Sequence, residues 1–194
     1  MKTNLNRWKV LIVSACVLIG ASACRKDDDE PVTPEPVNEE EVITTLELHF
    51  HSAGGAEHKH ITFLDLDGDG GGVPVIQADT LSHDSIYEVE LELWNASQSP
   101  AVDIAAEVAE EAEAHQFFFQ MSGANVTITY ADADANGHPV GLLTHWTVGP
   151  ASAGTVTVTL RHQPDKSAAG VSGGDITNAG GETDIEVTLP LVIE

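Results

Sequence analysis

Four histidines lie close together in the sequence at a spacing that suits a β-hairpin. His49 and His51 are separated by one residue, as are His58 and His60, and a Gly-containing segment at residues 52–57 lies between the pairs. If His51 faces His58 across a hairpin, then His49 faces His60. All four side chains then point to one face, because side chains alternate along a strand. Imidazoles bind Zn²⁺ and Cu²⁺ well, so the spacing predicts a labile metal site at these four residues.

The residues between the histidines agree with this register. In the same pairing, apolar side chains occupy the opposite face and form the buried one: Leu46, Leu48, Phe50, Ile61 and Phe63. Glu47 and Glu57 place carboxylates near the imidazoles and raise the affinity for cations. The alternative interpretation is that the histidines are polar residues on a solvated face and bind nothing.

A second pattern places oxygen ligands at alternate positions. Asp65, Asp67 and Asp69 stand at positions 1, 3 and 5 of a segment whose sixth residue is Gly70, which is the pattern at the start of a calcium-binding loop. Residues 132–137 repeat the pattern in weaker form. The closing glutamate is missing, since Ile76 stands at position 12 of the first loop. The pattern therefore predicts at most weak Ca²⁺ binding at Asp65, Asp67 and Asp69. An acidic β-turn without an ion explains the same residues, because Asp and Gly favour turns for backbone reasons.

One segment departs from strand-like alternation. Residues 101–115 are rich in Ala and Glu, and Ser99 with Pro100 before them predicts the start of a short helix. Glu111 and His115 would then share one face of that helix, which makes them a weaker pair of metal candidates. The alternative for His115 is a favourable position at the negative end of the helix dipole.

Eight segments alternate apolar and polar residues as strands do, with Gly, Asn and Asp between them. They are residues 42–51, 58–65, 85–94, 116–121, 125–131, 140–148, 155–162 and 183–192. This pattern predicts a mostly β fold, an antiparallel, immunoglobulin-like β-sandwich of about eight strands with one short helix. No catalytic motif such as Gly-x-Ser-x-Gly or His-Glu-x-x-His is present, so we do not expect an enzyme.

The amino-terminal residues have the form of a lipoprotein export signal. Lys2, Arg7 and Lys9 precede an apolar stretch at residues 10–19, and Ala-Ser-Ala stands directly before Cys24. This resembles the bacterial lipobox, and it predicts that Cys24 becomes the lipidated first residue of the mature chain. Two or more acyl chains give stable membrane anchoring. A secretory signal peptide that is cut without lipidation remains the alternative.

With this signal, the whole chain divides into three parts. Residues 1–23 are the signal peptide, residues 24–41 are the lipidated cysteine with a disordered linker rich in acidic residues and proline, and residues 42–194 form a single domain. A rival lipidation site, Cys16, leaves too short an apolar run for export. No cysteine follows Cys24, so the domain has neither a disulfide nor a thiolate metal site.

Several segments resemble a known family: residues 65–70, 99–119, 159–166 and 178–187. They look like a family of small uncharacterised lipoproteins of Bacteroidota-type bacteria, whose members often carry the label "type 1 periplasmic binding fold". The resemblance implies an outer-membrane, surface-exposed lipoprotein that works beside TonB-dependent receptors, and it implies no activity. The label would imply two α/β lobes, whereas the strand pattern predicts a β-sandwich.

The charge of the chain narrows the choice of partners. With a formal net charge of −23, the protein repels nucleic acid and attracts cations. The leading hypothesis is a lipid-anchored binding protein that captures Zn²⁺ or Cu²⁺ through the hairpin histidines for a TonB-dependent receptor. The alternative is an accessory lipoprotein that docks on a receptor or an extracellular ligand without metal.

Overall fold

The structure is a computed structural model that describes residues 41–68 and 71–194. Its ten strands are β1 (Thr45–Ser52), β2 (His58–Leu64), β3 (Val75–Ala78), β4 (Ile86–Asn95), β5 (Val102–Asp103), β6 (His115–Ser122), β7 (Val126–Tyr130), β8 (Leu143–Val148), β9 (Ser152–His162) and β10 (Glu182–Ile193). The α-helix α1 spans Ile104–Glu110. Short 3-10 helices cover Ala112–Ala114, Val171–Gly173 and Ile176–Asn178.

The strands form two antiparallel sheets. The larger sheet has the order β3-β2-β1-β4-β8-β7, with the short β5 also paired to β4, and the smaller sheet has the order β10-β9-β6. The predicted antiparallel β-sandwich with one short helix is therefore confirmed. The two α/β lobes that the family label would imply are not formed by residues 41–68 and 71–194.

The main core lies between the two sheets. Alternate side chains of the central strands are almost fully buried there, among them Leu48, Phe50, Leu91, Trp146, Val158, Leu160 and Leu189. The period of two that is visible in the sequence places these residues on the inner face of each strand. The predicted inner face of the hairpin is confirmed for Leu46, Leu48, Phe50 and Ile61, which are buried, while Phe63 is half-buried beside the core.

The predicted helix is real but shorter at both ends. Val102 and Asp103 pair with β4, so the helix cannot begin at Pro100, and Asp103 rather than Ser99 is its cap. The Asp103 carboxylate accepts a hydrogen bond from the amide of Ala106 at 3.0 Å. At the other end α1 stops at Glu110, and His115 already lies in β6, because pairing with β9 requires extended backbone there.

A buried ion pair holds the long loops against the sandwich. Nζ of Lys166 donates to Oδ2 of Asp134 at 2.9 Å, and also to the carbonyls of Ala112 and Pro139 at 2.6 and 3.1 Å. Both side chains are at most 5% exposed. Burial favours protonation of Asp134, but hydrogen bonds from Lys166 and from the amide of His138 outweigh it and lower the pKa of that carboxyl.

Replacing Lys166→Met should lower the free energy of unfolding by about 3–5 kcal/mol, because the buried Asp134 carboxylate loses its counter-charge. Denaturant unfolding measures the change. Lys59→Met on strand β2 is the control, since Lys59 has no buried ion pair, and it should cost less than about 1 kcal/mol. Equal stability of the two variants would contradict the structural role of this pair.

Candidate metal-binding sites

The hairpin of β1 and β2 brings the four histidines together in the register that the spacing predicted. His49 lies opposite His60, and His51 lies opposite His58. The ring centroids of the first pair are 4.5 Å apart and those of the second 4.8 Å, with both pairs edge-to-face. The side chains lie on the outer face of the larger sheet, where His58 and His60 are exposed and His49 and His51 half-buried. Two neighbouring imidazole pairs therefore face solvent.

The next two strands extend this surface with carboxylates and a fifth imidazole. Glu88 of β4 lies opposite His51 and also opposite His145 of β8, while Glu90 lies opposite His49. We call this surface the His–Glu face; its residues are Glu47, His49, His51, His58, His60, Glu88, Glu90, Glu92 and His145. Four of them, Glu88, Glu90, Glu92 and His145, were not predicted from the sequence. The strict alternation of glutamate with apolar residues at 87–93 was the signal that could have found the three glutamates.

Short contacts tie the carboxylates to the imidazoles. Nε2 of His49 lies 3.0 Å from Oε2 of Glu47 and 3.8 Å from Oε2 of Glu92. These three residues form one of the groups in the described chain whose ligand atoms all lie within 4.8 Å of one another. Nitrogen and oxygen donors at this separation can share one divalent cation after small side-chain rotations. Glu57 does not join them, because its carboxylate accepts hydrogen bonds from Tyr87 and Ser82.

Glu111 and His115 do not share a helix face as expected. Glu111 is the C-cap of α1, and His115 is the first residue of β6, fully buried. Nδ1 of His115 donates to the backbone carbonyl of Glu111 at 3.2 Å, and burial lowers the pKa of the imidazole. The two residues are nonetheless close, and with Glu41 they form a second group whose ligand atoms lie within 4.8 Å.

Carboxylates crowd the region around Glu41. Burial, together with the nearby carboxylates of Glu107, Asp184 and Glu111, raises the pKa of Glu41 to about 7. Asp184 in turn belongs to a third group with His115 and His162, again with all ligand atoms within 4.8 Å. The proximity of His162 and Asp184 to His115 was not predicted from the sequence, since the three residues lie on three different strands.

In the loop that contains Asp65 and Asp67, backbone amides donate hydrogen bonds to the carboxylates that were predicted as weak calcium ligands. Oδ1 of Asp65 accepts from the amide of Gly68 at 3.0 Å, and Oδ2 of Asp67 accepts from the amide of Gly72 at 2.7 Å. The Gly72 hydrogen bond and a second one with Asp65 lower the pKa of Asp67. Asp69 lies outside the described residues. The two described carboxylates are thus arranged as in an acidic turn.

The second acidic loop is structural. The carboxylate of Asp132 accepts hydrogen bonds from the amides of Gly141 and Leu143 at 2.7 and 3.0 Å, and Asp134 is paired with Lys166. An ammonium group beside Asp134 leaves no place for Ca²⁺ there. The weaker repeat in the sequence therefore reflects loop anchoring.

The predicted lipidation site and the linker, Cys24 and residues 25–40, lie outside the described residues. Within residues 41–68 and 71–194, none of the helices has the length and apolar character that crossing a bilayer requires. Comparison of the chain with models of protein families, with curated proteins and with solved structures gave no match.

Millimolar Ca²⁺ should leave the melting temperature almost unchanged, because Asp65 and Asp67 already bind backbone amides and no closing glutamate completes the loop. Thermal unfolding with Ca²⁺, and with Mg²⁺ at the same concentration as the ionic-strength control, measures this. Submicromolar Ca²⁺ binding in a calorimetric titration would contradict it.

Proposed function

We propose that this protein is a lipid-anchored cell-envelope protein that captures divalent metal, Zn²⁺ or Cu²⁺, on the His–Glu face. The observation that carries the proposal is the double cross-strand pairing of His49 with His60 and of His51 with His58 on one solvent-facing surface. Each pair offers two imidazoles from opposite strands, and the strand backbones hold them at a fixed separation. A metal ion that bridges a pair needs only rotation of the rings.

The shape of the face favours exchange over permanent binding. A nearly flat sheet surface supplies ligands from one side only, so the coordination shell of a bound ion keeps positions for water or for a partner's ligand. Glu47 and Glu92 beside His49 add charge without closing the shell. A cation held in this way can be passed to another protein, which is what capture and delivery require.

The electrostatic field of the chain supports the same function. A formal net charge of −23 concentrates cations at the surface. On the His–Glu face itself, four glutamates lie among the imidazoles. Cu²⁺ should bind more tightly than Zn²⁺ on imidazole ligands, in line with the general order of divalent metals. The availability of each ion then decides which one is carried.

The proposed location follows from the residues around Cys24. Lipidation there would anchor the chain, and residues 25–40, rich in acidic residues and proline, would act as an extended tether. We place the protein at the outer membrane, exposed at the cell surface, and we propose a TonB-dependent receptor as the recipient of the metal. The resemblance to Bacteroidota-type lipoproteins supports this placement.

A second candidate function is binding of a non-metal ligand or a receptor. A cavity of about 700 Å³ between α1 and β4 favours it, because its wall combines apolar residues with acidic ones, including Leu91, Trp94, Ala105, Glu90 and Asp103. This volume suits a small organic molecule. Metal-independent binding of a receptor by the protein would favour this function over metal capture.

Replacing His49, His51, His58 and His60 together by Gln should abolish high-affinity Zn²⁺ and Cu²⁺ binding to the His–Glu face. The fold should survive, because all four side chains lie outside the core. Calorimetric titration measures binding, and circular dichroism checks folding. His83→Gln is the matched control, since His83 is exposed and lies off this face. If the quadruple variant binds the same number of Zn²⁺ ions as the wild type, with the same affinities, metal capture by the hairpin is contradicted.

The same binding should weaken in acid. Imidazoles coordinate metal only in the neutral form, so protons compete with the ion and affinity falls from above neutrality toward about pH 5. Titrations at several pH values should show this loss in the wild type. A residual affinity that does not depend on pH would show that carboxylates, rather than imidazoles, hold the ion.

Cys24→Ser should release the protein from the membrane fraction, because no acyl chains are attached. Cell fractionation and metabolic labelling with a fatty-acid analogue measure this, and Cys16→Ser is the matched control that should stay membrane-bound and labelled. Fatty-acid labelling of the Cys24→Ser protein would refute lipidation at this residue.

A further inference from the structure

We propose that the protein holds a second, resident metal ion, separate from the His–Glu face, in a buried site formed by His115, His162 and Asp184. The ligand atoms of these residues all lie within 4.8 Å of one another. The side chains of His115 and Asp184 are at most 1% exposed, and His162 is 8% exposed. We call this group the buried centre.

Two of the three ligands form the terminal residue pair of strands β6 and β9. His115 begins β6 and His162 ends β9, and the two residues lie directly opposite each other. Along β9 the inner face is formed by Val156, Val158 and Leu160, so alternation turns His162 toward the interior as well. Both imidazoles therefore lie at one end of the sandwich, beside the apolar core.

The third ligand is placed by an irregularity in β10. The pairing of β10 with β9 shifts between Thr183 and Ile185, and Asp184 is the extra residue of this bulge. In a regular strand Asp184 would face outward with Glu186, since Ile185 and Val187 face inward. The bulge turns its carboxylate inward instead, which is how bulges commonly aim a side chain at a functional site. Its Oδ2 lies 3.7 Å from Nε2 of His115.

The spacing of the donor atoms matches a small tetrahedral ion. Bonds of about 2.0–2.1 Å at tetrahedral angles separate neighbouring donors by about 3.3 Å. Nδ1 of His162 lies 2.9 Å from Nε2 of His115, and Oδ2 of Asp184 lies 3.7 Å from the same nitrogen, so the two distances bracket that value. Bringing these two distances to that value requires shifts of only a few tenths of an ångström, and the third donor pair lies within 4.8 Å.

The proton on His115 is already placed for metal binding. Nδ1 donates to the carbonyl of Glu111, so Nε2 carries the lone pair, which accepts a hydrogen bond from Nδ1 of His162 when no ion is bound. Such a hydrogen bond from the non-ligating nitrogen to a carbonyl is the usual outer partner of a ligating histidine. His162 needs only to carry its proton on Nε2, so that Nδ1 can bind the ion.

Two further carboxylates and a surface cleft lie beside the buried centre. Glu41 and Glu111 have ligand atoms within 4.8 Å of a ligand atom of His115, which makes these two carboxylates the nearest candidates for a fourth ligand. A surface cleft of about 430 Å³ reaches the centre at Asp184, and Glu41 and Thr183 also line it. Two imidazoles with one or two carboxylates form a donor set that suits Zn²⁺.

A bound ion here would join elements that are distant in sequence. The centre links the start of β6, the end of β9 and the bulge of β10 to Glu41, the first described residue of the domain. Since the unfolded chain lacks such a site, the ion stabilises the fold in proportion to its binding free energy. The buried centre therefore has a resident structural role, whereas the His–Glu face exchanges its cation.

The test uses the protein that carries Gln at His49, His51, His58 and His60, so that the surface histidines do not contribute. After removal of metal with a chelator, this protein should bind one Zn²⁺ per chain in a calorimetric titration, with a rise in melting temperature. Adding Asp184→Asn should weaken this binding by about tenfold or more. Adding Glu194→Gln, an exposed residue just beyond the far end of β10, should leave it unchanged.

Absence of Zn²⁺ binding in the quadruple background, or equal affinity after Asp184→Asn, would overturn the proposal. A second measurement does not depend on the Asn variant folding. Co²⁺ added to the quadruple variant should broaden the amide NMR signal of Leu160, two residues from His162, and leave Ala153 at the other end of β9 sharp. An unchanged Leu160 signal would also overturn the proposal. The two sites are tested separately. Absence of metal at the buried centre would not contradict metal binding at the His–Glu face, and absence of metal at the face would not contradict the buried centre.

Discussion

The two-residue period of the larger sheet is the constraint on which the surface chemistry depends. In β1, Leu46, Leu48 and Phe50 fill the core, and this burial fixes Glu47, His49 and His51 on the outer face. A shift of pairing by one residue would bury imidazoles and expose the apolar side chains, at a cost of about 1.5–3 kcal/mol for each large apolar residue exposed. The hydrophobic core thus selects the register that sets His49 against His60.

Local pairing explains why so much of the hairpin could be predicted from the sequence. The turn between β1 and β2 is short, so the spacing of His51 and His58 determines the register of the whole hairpin. Neither the two-residue β5 nor the four-residue β3 could be predicted, because such short segments show no clear alternation. The helix bounds were wrong for a related reason, since the pairing of Val102 with β4 overrides the local helical preference.

The buried centre shows the limit of prediction from spacing. His115, His162 and Asp184 are far apart in the sequence, and they meet only after β6, β9 and β10 have paired. The bulge that turns Asp184 inward has no signature in the sequence, where the residue continues an ordinary alternating strand. The same dependence on tertiary structure applies to Lys166, whose ion pair with Asp134 explains the acidic repeat at residues 132–137. Glu111 was found near His115, although through the backbone rather than along a helix face.

The proposed function depends on metal ions binding at the His–Glu face, and anomalous diffraction tests this most directly. Crystals of the protein grown with Zn²⁺ and measured at the zinc absorption edge locate each ion without assumptions about affinity. Metal capture predicts anomalous density on this face, about 2.1 Å from imidazole nitrogens of a cross-strand pair, His49 with His60 or His51 with His58. Crystals that contain Zn²⁺ but show no anomalous density on the face would contradict the proposed function.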